Sequence, residues 1–258
     1  MAINKADAII LQSRKQGETS KLLTLFTREF GKMSVVAKGS RGTRSKYLGA
    51  LETFNHVSIV FYKKEGRQLQ YLSDASINEP FPDLHSRLGK MALAAVACEV
   101  VAKSEQDDQS HPEQFQLLLD TLRALEKNDN ALRNIVRAFQ IQYISQAGYE
   151  PLLDNCYYCQ KSEVEDINFF SFEQGVYSCN HCGQVEDSSK KVSGYILELL
   201  RWFKNVSIKN AVQVRMSKGI GEEIDAILME YLQTHIDTLF RLNSIDHLKK
   251  LEIELGRT

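Results

Sequence analysis

Gly31-Lys-Met-Ser-Val-Val-Ala-Lys-Gly-Ser-Arg-Gly-Thr-Arg-Ser-Lys46 is a short β-type run, Met33 to Ala37, that empties into a loop holding Lys38, Arg41, Arg44 and Lys46. Gly39, Ser40, Gly42, Thr43 and Ser45 separate these cations, and no Asp or Glu occurs between Gly31 and Leu51. Small residues let a backbone approach a ligand closely, and unpaired cations at alternating spacing suit a phosphate chain. The four basic side chains are therefore candidate nucleic-acid-binding residues. A solvated, flexible connection is the plainer reading of the same loop, and it stays open at this point.

Outward from this stretch the pattern is one of short strands. Residues 6–13, 22–27, 32–37, 53–63 and 68–77 each read as a strand, with turns at Phe30-Gly31 and Glu65-Gly66. Five strands within about 80 residues and no long helix match a small closed barrel, most often an OB-fold, whose face and loops bind single strands or oligosaccharides. The charge distribution agrees. The chain has a net charge of −1, but residues 1–80 hold 13 Lys/Arg against 7 Asp/Glu, a net of +6, and residues 81–258 hold 19 against 26, a net of −7. Such asymmetry suggests two modules with different partners.

Beyond Pro80-Phe81-Pro82 the periodicity turns helical. Leu84 to Lys103 is a continuous apolar run in which Cys98 reads as a small buried hydrophobe. Pro112 opens a second helix carrying Phe115, Leu118, Leu119, Leu122 and Leu125. Asn128 or Asn130 is the expected cap of a third, which runs through Leu132, Ile135, Phe139 and Tyr143 and stops at Gly148 and Pro151. Further on, Ser193 is the expected cap of a helix with Trp202 packed in the core. Ile220 to Phe240 reads as the last helix, and the tail beyond Leu248 is charged.

Into this helical part is set the strongest single signal of the chain. Cys156-Tyr-Tyr-Cys159 and Cys179-Asn-His-Cys182 are two Cys-x-x-Cys pairs with 19 residues between them. Each pair offers two thiolates from one turn, and two such knuckles complete the tetrahedron of a structural zinc site, one Zn2+ per chain. Short strands over 168–172 and 176–178 around Gly175 are expected between the pairs. A thioredoxin-like redox pair lacks its βαβ context here, and neither cysteine pair carries the Pro that a zinc deaminase places directly before its Cys-x-x-Cys. His181 reads as a surface residue.

The fold class expected is α+β: an N-terminal five-stranded OB-fold barrel (1–80), then an all-α domain (81–258) with an inserted zinc finger at about 152–188. No phosphate loop, no Gly-x-Ser-x-Gly elbow and no persuasive cluster of His and carboxylates is present, so a binder is expected rather than an enzyme. The start lacks the apolar core of a signal peptide and no run of about 18 apolar residues occurs, so the cytoplasm is the expected compartment.

The order of motifs goes further. Ala8-Ile-Ile-Leu11, Glu18-Thr19, Leu25-Phe-Thr-Arg-Glu29, Gly31, Val36-Ala-Lys-Gly39, the basic loop, Gly49-Ala-Leu-Glu52 and Gly148-Tyr149 ahead of the first cysteine pair together resemble the RecO family of bacterial recombination mediators. The match is dense over 8–61 and weak beyond about 190. The resemblance implies binding of single- and double-stranded DNA, annealing of complementary strands without ATP, and loading of recombinase onto strands coated by single-strand-binding protein (SSB). It implies RecR and the acidic C-terminal tail of SSB as partners, and a place in DNA repair at the nucleoid. It places Lys38, Arg41, Arg44 and Lys46 in the DNA-binding region. It matches Arg137 to an arginine that receives the SSB tail, a carboxylate-binding task suited to a guanidinium fork. Two other classes remain, a protein-interaction scaffold and an RNA-binding OB-fold zinc protein. Salt-dependent DNA affinity and competition between matched RNA and DNA strands separate them.

Overall fold

The computed structural model describes residues 2–42, 45–47, 49–64, 66–239, 241–245, 248 and 250. Five strands form a closed barrel: β1 (Ala2–Gln16), β2 (Ser20–Thr27), β3 (Gly31–Ala37), β4 (His56–Lys63) and β5 (Leu69–Glu79), in the order β1-β2-β3-β5-β4. All neighbours are antiparallel except β3 and β5, which run parallel through Ser34↔Leu69, Val35↔Gln70 and Val36↔Tyr71. This is the OB-fold barrel that five alternating strands predict. Alternation puts Ala6, Ala8, Ile10, Leu23, Leu25, Met33, Val35, Val57, Ile59, Phe61 and Leu72 into one interior. The β2–β3 turn needs Gly31. Its φ is +69°, and a Cβ there would stand 1.7 Å from the Gln109 carbonyl oxygen.

Among the described residues six α-helices follow: α1 (Pro82–Ser86), α2 (Leu88–Ser104), α3 (Pro112–Lys127), α4 (Leu132–Gln146), α5 (Gly194–Asn205) and α6 (Lys218–His235). Between α4 and α5 lies a small sheet of β6 (Ile167–Ser171), β7 (Val176–Cys179) and β8 (Lys190–Ser193), with β6 in the centre. The continuous apolar run from Leu84 is broken at Arg87, whose extended backbone (φ −107°, ψ 109°) separates α1 from α2. The expected cap at Asn128 or Asn130 is replaced by Ala131, which enters α4 through a left-handed conformation with φ 51°. Ser193 does cap α5, its Oγ accepting from the Ile196 N–H at 3.3 Å. Trp202 is half-buried rather than in the core. Phe240, expected to end the last helix, lies outside the described residues. No described helix is long and apolar enough to cross a membrane.

The chain divides into two compact units. One holds residues up to Lys127 and the segment from Leu242; the other is Asn128–Arg241. In the first, α2 is apolar on every side and buries Leu93, Val96, Cys98, Val100 and Val101, and burial pushes the Cys98 thiol up to about 12. Lys90 on the same helix is 3% exposed and donates to Asp83 Oδ2 (2.9 Å) and to the Glu126 carbonyl (2.7 Å). Its charge thereby meets a carboxylate and the carbonyl end of α3, as a buried ammonium requires. Barrel and α3 are joined by a charged lattice. His56 bonds Asp7 (2.6 Å) through one ring nitrogen and Glu79 (3.0 Å) through the other. Arg123 of α3 forks onto Glu79, and Arg28 lies 4.5 Å over the Phe115 ring.

Candidate nucleic-acid surface and metal centre

The basic loop leaves β3 at Ala37. Gly39 turns it with φ +68°, and the Ser40 hydroxyl donates to the Ala37 carbonyl at 2.8 Å. Arg41 then reaches to the β1–β2 turn, its Nη1 donating to the carbonyls of Gly17 (2.8 Å) and Glu18 (2.9 Å). Lys46 donates to the Ser73 carbonyl on β5 and lies 5.3 Å over the Tyr47 ring. Tyr47 is buried and anchors the loop by donating to the Leu72 carbonyl at 3.2 Å. Lys38 sits 4.7 Å over the ring of Tyr71. Lys38, Arg41 and Lys46 are exposed, and among the described residues none of them pairs with a carboxylate. They are thus gathered around one end of the barrel, on backbone rich in small side chains. Arg44 lies outside the described residues.

Arg137 occupies a different setting. It is 5% exposed, and its fork is filled by Asp225 of α6: Nε to Oδ1 at 2.7 Å and Nη2 to Oδ2 at 3.0 Å. Its remaining nitrogen donates to Asn134 Oδ1 at 2.7 Å and reaches Met216 sulfur at 3.5 Å. Arg133 also donates to Asp225, at 2.6 Å. Gly221 makes the crossing possible, because a Cβ there would stand 2.6 Å from Arg137 Nη2. Sequence reading missed Asp225, since nothing in one chain links two positions so far apart.

The four cysteines converge. The sulfurs of Cys156, Cys159, Cys179 and Cys182 all lie within 4.8 Å of one another, and Cys159 and Cys179 are 3.9 Å apart. Thiolates at about 2.3 Å from a central ion stand about 3.8 Å from each other in a tetrahedron, so the cluster has the dimensions of a four-sulfur metal site. The two knuckles share one geometry. The Gln160 N–H donates to the Cys156 carbonyl (3.0 Å) and the Gly183 N–H to the Cys179 carbonyl (3.1 Å). Gln160 and Gly183, each directly after the second cysteine of its pair, have φ of +59° and +81°. The Cys179 N–H also points at the Cys156 sulfur, at 3.3 Å.

The donor chemistry fits a cation. Burial works to raise the Cys156 thiol, and the backbone N–H groups of Cys159, Cys179 and Tyr158 overcome it and hold it down to about 6. Cys182 is pushed up to about 12, first by its hydrogen bond with Cys179 and then by burial, and burial raises Cys179 as well. One negative sulfur is therefore shared by its neighbours, and only a metal cation lets all four ionise together. His181 is exposed and outside the cluster. Arg201 of α5 holds the first knuckle in place, donating to the carbonyls of Leu153, Asp154 (3.0 Å) and Ser162 (3.2 Å) and to Tyr177 Oη (2.8 Å). It is a supporting residue that sequence reading missed, because backbone carbonyls carry no sequence signature.

Comparison with known proteins adds a second line of argument. The family model described as Recombination protein O N terminal matches residues 1–81, and that described as Recombination protein O C terminal matches residues 85–244. Similar proteins include the DNA repair protein RecO of Alkaliphilus metalliredigens, 27% identical over 96% of this chain and 99% of its own. Those of Pelotomaculum thermopropionicum (31% identical, 92% and 91% covered) and Symbiobacterium thermophilum (30%, 97% and 98%) are similar along nearly their whole length too.

Proposed function

Because the chain belongs to the RecO family of DNA repair proteins, we propose that it is a recombination mediator, binding single- and double-stranded DNA and annealing complementary strands without ATP. In this reading it works with RecR to load recombinase onto strands coated by SSB, as a binder rather than an enzyme, in the cytoplasm at the nucleoid. The observation that carries the proposal is the gathering of exposed, carboxylate-free Lys38, Arg41 and Lys46 at one barrel end. Arg44 completes the proposed DNA-binding set. Annealing brings two polyanions together, and cations on close-approaching backbone reduce their repulsion while releasing counterions.

The ion of the four-cysteine module is taken to be structural Zn2+, one per chain, held by Cys156, Cys159, Cys179 and Cys182. Zinc suits four thiolates, and four protein ligands leave no open position for catalysis. For the SSB tail, Arg137 remains the proposed recipient under one condition. A terminal carboxylate reaches its fork by displacing Asp225, so Asp225→Ala is expected to tighten tail binding.

The experiment is annealing of complementary strands precoated with SSB, without ATP, by the native protein and a variant with Lys38, Arg41, Arg44 and Lys46 all changed to Gln. Glutamine keeps a hydrogen-bond donor for the loop's own carbonyls while removing the charge. Annealing by the native protein alone, with a flatter dependence of affinity on salt in the variant, is expected. Equal annealing by both moves the site elsewhere, and preference for a matched RNA strand turns the reading to RNA.

A further inference from the structure

The barrel's outward face carries a row of apolar side chains outside its interior cluster, running from exposed Ile3 to buried Val36 and half-buried Leu22. Cross-strand register places Ile3 opposite Tyr62, Tyr62 opposite Tyr71, Tyr71 opposite Val36 and Val36 opposite Leu22. Their chain neighbours Phe61, Leu72, Val35 and Leu23 fill the interior, so this row faces out. Ile3 is 65% and Tyr62 37% exposed, and Tyr71 is half-buried. Partly exposed aromatic rings on neighbouring strands, outside the interior, mark such a row as a contact surface.

The surroundings select the occupant. The Lys38 ammonium lies over the face of Tyr71, Lys5 follows Ile3 by two residues on the same side of β1, and Lys64 comes directly after the end of β4, two residues past Tyr62. Lys5 and Lys64 are exposed, as is Arg14, which stands opposite Leu22 where the row ends on β1. Ring faces bordered by cations match a chain that alternates flat bases with phosphates. We propose that Tyr62 and Tyr71 form a base-stacking platform for single-stranded nucleic acid, with the Lys38 ammonium leaving the Tyr71 face to meet the phosphate beside the base that stacks there. This rests on the DNA-binding reading above and adds to it a contact that paired strands, whose bases are already stacked, cannot make.

The test uses the full chain with an oligo-dT strand, the same strand with abasic positions, and a blunt duplex. Tyr62→Ser and Tyr71→Ser are each expected to weaken oligo-dT binding by about fivefold to a hundredfold. The salt slope should stay that of the native protein, because no phosphate contact is removed. Tyr62→Phe and Tyr71→Phe, which keep the ring, should bind as the native protein does. The abasic strand should bind the native protein at least as weakly as oligo-dT binds either serine variant, and duplex affinity should not move. Equal native affinity for the intact and abasic strands overturns the platform. So does a serine variant that changes self-association in sedimentation and leaves strand affinity intact, which makes the row a protein interface. Failure of the native protein to bind any strand is a separate result, and removes the DNA-binding reading along with the platform.

Discussion

Asp225→Ala is expected to destabilise the unit from Asn128 to Arg241 by about 3 kcal/mol. The carboxylate receives three hydrogen bonds, two from Arg137 and one from Arg133, at 2.6–3.0 Å. Without it, a guanidinium whose side chain is 6% exposed retains only Asn134 and Met216. Removing one partner of a buried ion pair costs about 3–5 kcal/mol, and the lower end applies because the Asp225 side chain is itself 32% exposed. Trp202, the only tryptophan, lies on α5 in the same unit and reports its unfolding by fluorescence in urea. With a slope of about 2 kcal/mol per molar, the midpoint should fall by about 1.5 M. A paired replacement, Arg137→Met with Asp225→Leu, should recover much of the loss, since an apolar pair leaves no charge stranded. A midpoint shift below about 0.3 M for Asp225→Ala would refute the reasoning. The fork would then be only loosely held, and a ligand's carboxylate could enter it with little competition.

Other expectations follow from single features. Gly31→Ala should cost about 3 kcal/mol or more, since its Cβ meets the Gln109 backbone, whereas Gly39→Ala, with similar φ and open space, should cost about 1 kcal/mol; similar thermal shifts for the two would contradict this. The Arg123 hydrogen bond, against burial and with help from His56, holds the Glu79 carboxyl below its ordinary value of 4.5. Its stabilisation is therefore present in full above that value and is lost as pH falls through the lower folded one. The difference in melting temperature between the native protein and Glu79→Gln should accordingly narrow as pH falls below that ordinary value, and a difference that stays constant to the acid limit of folding would show that the pairing is irrelevant. Chelation should release one zinc per chain and lower the protection of amides in 152–193 while the barrel's exchange pattern stays unchanged. A chelated protein with native exchange throughout would mean that the cysteines hold nothing.

The barrel and the knuckles were legible for different reasons. Strand alternation from Ala8 to Leu72 reports which side faces the core, and two Cys-x-x-Cys pairs report a four-sulfur cluster by spacing alone. Strand ends were less legible. β1 extends to Gln16 through Arg14 and Lys15, whose polar side chains sit on the barrel's exposed end, and β8 has a single buried residue, Val192, to betray it. The break at Arg87 is hidden within an apolar run, and the Ala131 cap uses a backbone conformation that alanine seldom adopts. At the candidate sites, Lys38, Arg41 and Lys46 could be picked from their loop, but their carbonyl partners could not. The direction of Tyr62 and Tyr71 was ambiguous because adjacent aromatics such as Phe61 and Tyr62 fit either face until register is known. Asp225 and Arg201 are long-range partners, and no local pattern points to them.

The barrel's closure also constrains how the chain is made. β1 meets β2 at once but needs β4 on its other side, where Ala2 pairs with Lys63, and β5 must then slot in parallel to β3. Emerging from a ribosome, β1, β2 and β3 can zip as local hairpins, while their two outer edges keep unpaired N–H and C=O groups. Joining those edges closes the long loop that contains all four cations of the basic stretch, and such distant pairing is the slow event in a barrel. The nascent chain thus carries its most basic segment beside an open β3 edge until Leu69 to Tyr71, the residues that pair with β3, have been added.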